Sequence, residues 1–193
     1  MNGPVFYYDF NSPYAYLAAS RIDALLPEAQ WQPVAFAFVF AAAQRTPWSL
    51  VERTRVTGLE ECEERAAAYG LPLVQLPPDW PVGSYGLLSL RAALAAAEQD
   101  ALKAFSRAAF DRHFVAGLPL KQDADIAVVA AVAGLDPGAL VARAHDSEIK
   151  QQLQLVTERA IAGGIYGVPT VEVSGQMFWG DDQLEAAAAA LSD

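Results

Sequence analysis

A serine directly precedes a proline in the segment Asn11-Ser12-Pro13-Tyr14, which follows a short aromatic run. Because proline fits the first turn of a helix, Asn11 or Ser12 can cap a helix that begins at Pro13. A hydroxyl at that position can donate a hydrogen bond to an anion near the positive end of the helix. From the residues alone, capping is the common role of such a serine.

Two further short motifs could bind a ligand. Val168-Pro169 precedes a β-prone segment, and its peptide bond is either an ordinary turn or one of the uncommon cis bonds that proline permits. Asp181-Asp182 precedes an alanine-rich segment that is predicted to be helical. One of these carboxylates can cap the helix, and a carboxylate there can also take a charge-assisted bond from an ammonium group.

The charge balance excludes several classes of partner. The chain has 193 residues, with 23 acidic and 13 basic side chains, which gives a net charge of −10. A nucleic-acid partner would require a basic surface, so none is expected. No run approaches the ~18 apolar residues of a membrane span. The segment Met1–Tyr8 shows no basic region followed by an apolar one, so we expect no membrane association and a cytoplasmic location.

The sulfur and imidazole groups offer little for catalysis or for metal binding. Cys62 is the single cysteine, which excludes an intramolecular disulfide and a cysteine-based zinc cluster. Four glutamates surround it in sequence, and nearby negative charge raises a thiol pKa, so a packed, inert thiol is expected. His113 and His145 have no motif around them and are interpreted as structural. No metal site is expected.

The predicted elements fall into three groups along the chain. Strand Val5–Asp9, helix Pro13–Leu26 and strand Trp31–Phe38 begin a βαβ unit. The following helices are predicted at Trp48–Tyr69, Leu87–Gln99, Ala101–Ala116, Asp123–Ala133, Pro137–Ala144 and Ser147–Gly163. The chain closes with a hairpin, Thr170–Val173 and Met177–Trp179, and a helix at Leu184–Leu191.

The order β-α-β, a helical block and then α-β-β-α predicts an α/β fold with a thioredoxin-like core and a large helical insertion. We place the thioredoxin-like domain at residues 1–40 and 147–193 and the inserted helical domain at residues 41–146.

Three segments in this order resemble one known family. They are Tyr8–Ala18, Gly164–Thr170 and Phe178–Leu184, supported by Tyr69–Pro72, Arg91–Leu94 and Gly134–Asp136. Together they resemble the 2-hydroxychromene-2-carboxylate isomerases and the related kappa-class glutathione transferases. Both groups belong to the DsbA-like branch of thioredoxin folds.

The resemblance implies roles for the first two motifs. Ser12-Pro13-Tyr14-Ala15 occupies the place of the Cys-x-x-Cys of DsbA-like oxidoreductases, and thiol–disulfide exchange needs the missing thiolate. The matching serine in the family donates a hydrogen bond to the sulfur of glutathione, so Ser12 is implied as the catalytic residue. Val168 is implied to pair through its backbone with the cysteinyl part of glutathione, and Pro169 to be the structural cis-proline.

The resemblance also implies how the outer parts of glutathione are held. It gives Asp182 the γ-glutamyl ammonium and places the backbone N–H of Asp181 near the γ-glutamyl carboxylate. The family's lysine position falls near Thr54, and the family's aspartate position falls near Glu61. Arg53 or Arg55 could bind the glycine carboxylate instead, or both could lie on a solvated helix face.

The implied function is that of a glutathione-dependent isomerase acting on a small aromatic substrate, as a homodimer. Two alternatives stay open: a kappa-like glutathione transferase, and a redox-inactive DsbA-like binding protein. The aromatic residues that could line a substrate slot, or instead belong to the core, are Phe38, Phe40, Trp80 and Tyr85.

Overall fold

The computed structural model describes residues 3–192. Within them the strands are β1 (Val5–Tyr8), β2 (Gln30–Pro33), β3 (Thr170–Val173) and β4 (Gln176–Trp179), and they form one sheet in the order β2-β1-β3-β4. β1 pairs in parallel with β2 and antiparallel with β3, which in turn pairs antiparallel with β4. This is the strand order of a thioredoxin-like core, so the predicted fold class is confirmed.

Helices fill the chain between and around these strands. They are α1 (Pro13–Ala19), α2 (Ile22–Leu25), α3 (Phe36–Ala42), α4 (Glu52–Ala68), α5 (Leu87–Ala97), α6 (Leu102–Phe110), α7 (Asp123–Val132), α8 (Pro137–His145), α9 (Ser147–Ala162) and α10 (Leu184–Ser192). A π-helical turn continues α6, and short 3₁₀ turns precede α4 and α10. No helix within residues 3–192 is long and apolar enough to cross a membrane. The division into two domains stays a prediction. Residues 1, 2 and 193, which belong to the predicted thioredoxin-like domain, lie outside the described residues.

The predicted strand Trp31–Phe38 is wrong in its second half, because α3 begins at Phe36. The chain leaves the sheet after Pro33, and two side chains from elsewhere bind the next backbone groups. The N–H of Ala35 donates to Thr157 Oγ1 at 3.1 Å, and the N–H of Phe36 donates to Asp9 Oδ2 at 3.0 Å. These bonds over long sequence distances override the β propensity of the segment.

Two predicted helices are shorter than expected. The helix from Pro13 ends at Ala19, where the hydroxyl of Ser20 donates to the carbonyl of Tyr16 at 2.9 Å, and a new short helix begins at Ile22. A serine side chain that bonds to the preceding turn competes with helix continuation. The helix expected from Trp48 starts at Glu52, after a 3₁₀ turn and the extended residue Val51.

The core anchors the end of β1 from both faces of the sheet. Phe6 and Tyr8 point to one face, where they contact Trp31, and Tyr8 packs on Phe110 of the helical block. Tyr7 points to the other face, against the smaller cluster formed with α3 and α9. Because both faces are packed, the loop that leaves β1 toward Ser12 has a fixed starting point.

The predicted hairpin is confirmed. Its turn residues Ser174 and Gly175 both have positive φ, at 51° and 84°. This is the backbone geometry of a type I′ turn, for which glycine is favoured.

Candidate active site

Ser12 lies half-buried at the start of α1, as its N-cap residue. Its Oγ accepts a hydrogen bond from the backbone N–H of Ala15 at 3.2 Å. A hydroxyl carries one donor hydrogen besides its acceptor lone pairs. Capping therefore uses an acceptor position of Ser12 and leaves its O–H able to donate, so the two interpretations of this serine are compatible.

The Val168–Pro169 segment faces the same place. The peptide bond between these residues is cis. The carbonyl of Pro169 accepts from the N–H of Gly180 at 3.0 Å, which ties the segment to the end of β4. The backbone N–H and C=O of Val168 pair with no residue of the described chain. An extended ligand can use such free backbone groups for strand-like pairing.

A cavity of about 320 Å³ runs along Val168 and Pro169 toward α4, and we call it the ionic groove. It is lined by Tyr14, Phe40, Trp48, Glu61, Arg65, Val168, Pro169, Trp179, Gly180, Asp181 and Asp182. Charges of both signs thus lie along one groove, which suits a ligand that carries both an ammonium and carboxylates.

The charged groups of the ionic groove form one network around Arg65. Its guanidinium lies 2.7 Å from Asp181 Oδ1 and 3.6 Å from Asp182 Oδ1, and it also pairs with Glu61. Asp181 is fully buried and accepts a second bond from the hydroxyl of Tyr69 at 3.1 Å. Burial raises the pKa of the Asp181 carboxyl, against the opposing effect of Arg65. The Asp181 side chain is thus occupied, whereas the Asp182 side chain is half exposed to the groove.

A second cavity, of about 330 Å³, is lined in part by Asn11, the neighbour of Ser12, and we call it the aromatic pocket. Its lining is Asn11, Phe36, Ala37, Phe40, Ala41, Arg45, Pro47, Ser49, Leu50, Pro81, Val82 and Tyr85. Ser12 lines neither cavity itself, but it lines a small space that has lining residues in common with both. Phe40 lines all three, Val168 also lines the ionic groove, and Phe36 also lines the aromatic pocket.

Asp9 connects residues that line this small space and the aromatic pocket. Its carboxylate is fully buried and accepts bonds from the N–H groups of Asn11 at 2.9 Å and Phe36 at 3.0 Å, and from the hydroxyl of Tyr85 at 2.6 Å. Asn11 in turn donates through Nδ2 to the carbonyl of Pro81 at 2.8 Å. One carboxylate thus connects the loop before Ser12, the start of α3 and the helical block.

We expect the ionisation of Asp9 to make the protein less stable as pH rises from about 4 to about 6. Burial raises the pKa of Asp9 from 3.8 to about 6, although the three hydrogen bonds act in the opposite direction. The folded state therefore binds the proton more tightly than the unfolded chain. The stabilisation from the protonated Asp9 is fully present below pH 3.8 and is lost as pH rises through 6. Because one pKa unit corresponds to 1.36 kcal/mol, the free energy of unfolding should fall by about 3 kcal/mol.

The measurement is urea unfolding of the wild type and of Asp9→Asn at several values between pH 4 and pH 7. The other titrating groups are common to both proteins, so the difference between the two curves isolates Asp9. As pH rises from about 4 to about 6, the free energy of unfolding of the wild type should fall relative to that of Asp9→Asn. Parallel curves would show that Asp9 has an ordinary pKa in the folded state.

The prediction of a packed thiol agrees with the structure, and the interpretation of His113 and His145 as structural stays a prediction. Cys62 is buried in α4 behind Tyr14, and burial together with Asp181 and Glu61 raises the pKa of its thiol to about 12. His113 is buried against Phe114, and burial lowers its pKa to about 4. His145 lies on the surface beside Asp123. None of these groups lines the ionic groove or the aromatic pocket.

The structure brings most of the predicted site residues together and leaves others out. Val168, Pro169, Asp181 and Asp182 line the ionic groove, and Ser12 adjoins it. Thr54, at the family's lysine position, donates to the carbonyl of Trp48 at 2.8 Å on the exposed side of α4. Neither Arg53 nor Arg55 lines a described cavity, whereas Glu61 does. The proposed aromatic slot is divided, since Phe40 and Tyr85 line the aromatic pocket and Phe38 lines a separate cavity.

Sequence reasoning missed two residues of the ionic groove, Arg65 and Trp48. Arg65 could have been found from its position four residues after Glu61, the spacing of an ion pair on one helix face. Trp48 packs edge-on against Tyr14, with ring centroids 5.4 Å apart, and closes the groove near Ser12. Gly58 permits this contact, because a Cβ atom there would lie 2.6 Å from the Trp48 ring. No local signal in the sequence marks this packing.

Fold and site together define a thioredoxin-fold protein whose first helix begins with serine in place of a redox cysteine. The chain belongs to the DSBA-like thioredoxin domain family, whose model matches residues 5–192. It is 28% identical to a 2-hydroxychromene-2-carboxylate isomerase of Sphingobium xenophagum, over 97% of each chain.

Solved structures show the same fold. A 2-hydroxychromene-2-carboxylate isomerase superposes with a TM-score of 0.89 at 21% identity, over 99% of this chain and 95% of the other. A probable DsbA oxidoreductase from Streptomyces coelicolor superposes with a TM-score of 0.78 at 19% identity, over 98% of this chain and 88% of the other.

Proposed function

We propose that this protein is a glutathione-dependent isomerase of the 2-hydroxychromene-2-carboxylate type. The observation that carries the proposal is that Ser12 lines a small space which has lining residues in common with a groove that carries charges of both signs and with an apolar pocket. A cosubstrate that carries a thiol could fill the groove while an aromatic substrate fills the pocket. The homology to an isomerase over 97% of the chain supports the same conclusion.

The residues of the ionic groove fit the parts of glutathione. The free backbone groups of Val168 would pair with the cysteinyl unit, and the half-exposed carboxylate of Asp182 would bind the γ-glutamyl ammonium. The backbone N–H of Asp181, which pairs with no described residue, would meet the γ-glutamyl carboxylate. Arg65 lies beside both aspartates and can bind the same carboxylate.

When bound, glutathione would supply a thiolate that adds to a conjugated carbon of the substrate, permits rotation about the resulting single bond and is then eliminated. Ser12 would donate to the sulfur and so favour the thiolate over the thiol. Phe36, Phe40 and Tyr85 would hold the aromatic ring beside that sulfur. Arg45, the cation of the pocket lining, would pair with a substrate carboxylate.

The test is conversion of 2-hydroxychromene-2-carboxylate by the purified protein, followed by absorbance with and without glutathione. We expect turnover only when glutathione is present and no net consumption of it. Accumulation of a stable conjugate, detected by mass spectrometry, would assign a kappa-like transferase instead. Absence of turnover, together with absence of heat on titration with millimolar glutathione, would favour the non-catalytic binding protein.

We also propose that the protein acts in the cytoplasm as a homodimer. Both statements rest on the family resemblance, and light scattering of the purified protein tests the second. A mass of 20.7 kDa would correspond to a single chain.

We expect Asp182→Asn to weaken glutathione binding about 3- to 10-fold while turnover at saturation changes little. The carboxylate is half exposed and belongs to the outer part of the groove, so the lost interaction is the same in the ground state and the transition state. Calorimetric titration gives the affinity, and initial rates at saturating glutathione give the turnover. A collapse of turnover with affinity retained would place Asp182 at the reacting atoms and would require a different orientation of glutathione.

A further inference from the structure

A further cavity within residues 3–192 shares no lining residue with the ionic groove or the aromatic pocket. It lies between the start of α3, α5 and α9 and encloses about 710 Å³. Small-molecule pockets commonly have volumes of this size. Its walls are largely apolar and include Phe38, Leu87, Leu153 and Ile161.

Two cations line this cavity without an acidic partner. Arg91 of α5 and Lys150 of α9 form no ion pair or side-chain hydrogen bond with any described residue. The Nε of Arg91 is buried and has no hydrogen-bond partner. Leaving a buried donor of a charged group unpaired is costly, so this atom is a strong indication of a missing acceptor.

The other polar groups of the cavity do not supply that acceptor. Thr157 Oγ1 is engaged by the N–H of Ala35, and the exposed carboxylate of Glu158 accepts a bond from Gln154 at 2.8 Å. Acidic residues outnumber basic ones by 23 to 13, and Arg143, for example, pairs with three carboxylates. Unpaired cations also occur on the exposed surface, as at Arg53 and Arg159, and Lys150 is exposed as well; Arg91 differs from them because its Nε is buried.

We propose that this cavity is a second binding site, for an amphipathic organic anion. The acidic group of the ligand, a carboxylate or sulfonate, would pair with Arg91 and Lys150. Its apolar body, of aromatic or acyl character, would pack on Phe38, Leu87 and Leu153. The proposal is independent of the glutathione site, because the cavities share no lining residue.

The test compares two fluorescent probes of similar apolar body: anionic 8-anilinonaphthalene-1-sulfonate and neutral N-phenyl-1-naphthylamine. We expect saturable binding of the anionic probe at one site per chain and clearly weaker binding of the neutral one. Lys150→Met and Arg91→Met should each raise the dissociation constant of the anionic probe about 10-fold or more, as for a hydrogen bond to a charged group. Arg159→Met removes the same charge from the exposed side of α9 and should leave the constant within twofold.

Gln151→Trp provides a steric check, since Gln151 is exposed and lines the cavity, so the larger ring should weaken both probes. Millimolar glutathione should not displace the anionic probe. Equal effects of Lys150→Met and Arg159→Met, or equal affinity for both probes, would overturn the proposal. Displacement of the anionic probe by glutathione would also overturn the proposal. Loss of probe binding when the chain dimerises would overturn it as well, because the occupant of the cavity would then be a second copy of the chain.

Discussion

Replacement of Ser12 by alanine is expected to lower turnover about 10- to 100-fold. The variant loses the Ser12 hydroxyl from the small space that has lining residues in common with the ionic groove and the aromatic pocket, where Ser49 keeps its own hydroxyl. A hydrogen bond to a charged group contributes about 1.5–3 kcal/mol, and each 1.36 kcal/mol corresponds to a factor of ten in rate. The direct measurement is the pKa of the glutathione thiol when bound, from the ultraviolet absorbance of its thiolate. We expect it to rise in the variant.

Ser12→Ala removes both the hydroxyl donor and the helix cap, because Ser12 also accepts a hydrogen bond from the N–H of Ala15. Two further variants separate these effects. Ser12→Gly removes the hydroxyl, yet it costs the helix only a few tenths of a kcal/mol relative to serine. Ser12→Thr restores the hydroxyl and should recover most of the turnover. An unchanged thiol pKa in Ser12→Ala and Ser12→Gly would show that this hydroxyl does not contact the sulfur.

The sequence predicted those parts of the site that depend on local chemistry. Ser12 before Pro13 specifies a helix start, and Ser174-Gly175 specifies a tight hairpin turn, whatever surrounds them. Val168 and Asp182 both line the ionic groove, next to Pro169 and shortly after β4, while the roles toward glutathione that the resemblance implies for them stay predictions. For the helix start and the hairpin turn the determining contacts lie within a few residues, whereas the Val168–Pro169 segment is also held by the N–H of Gly180.

The parts that could not be predicted depend on contacts between distant segments. The carboxylate of Asp9 fixes where α3 begins through a bond to the N–H of Phe36, 27 residues away. Arg65 reaches Asp181 over 116 residues. The sequence pattern gives each partner of such a pair, but it contains no information on which buried acid a given donor will meet.

Asp181→Ala is expected to destabilise the protein by about 3 kcal/mol, whereas Asp182→Ala should change stability by less than about 0.5 kcal/mol. Asp181 is fully buried and is bonded by Arg65 and Tyr69, so its removal leaves the Tyr69 hydroxyl without this acceptor and leaves the guanidinium with Glu61 and the more distant Asp182. Asp182 is 51% exposed, and its ion pair with Arg65 is long, at 3.6 Å. For a chain of this size, about 3 kcal/mol corresponds to a melting temperature lower by roughly 6–12 °C.

A double-mutant cycle with Arg65→Met tests whether the effect arises from this pair. If it does, Arg65→Met should cost less in the Asp181→Ala background than in the wild type, with a coupling of about 1–3 kcal/mol from urea unfolding. Additive effects would mean that the Asp181 carboxylate stabilises the fold through its bond from Tyr69, since the backbone carbonyl that accepts from Arg21 is kept in the alanine variant. A measured coupling between Arg65 of α4 and Asp181, in the 3₁₀ turn before α10, would explain why the two adjacent aspartates differ in role. One would hold the wall of the groove in place, and the other would be left available to a ligand.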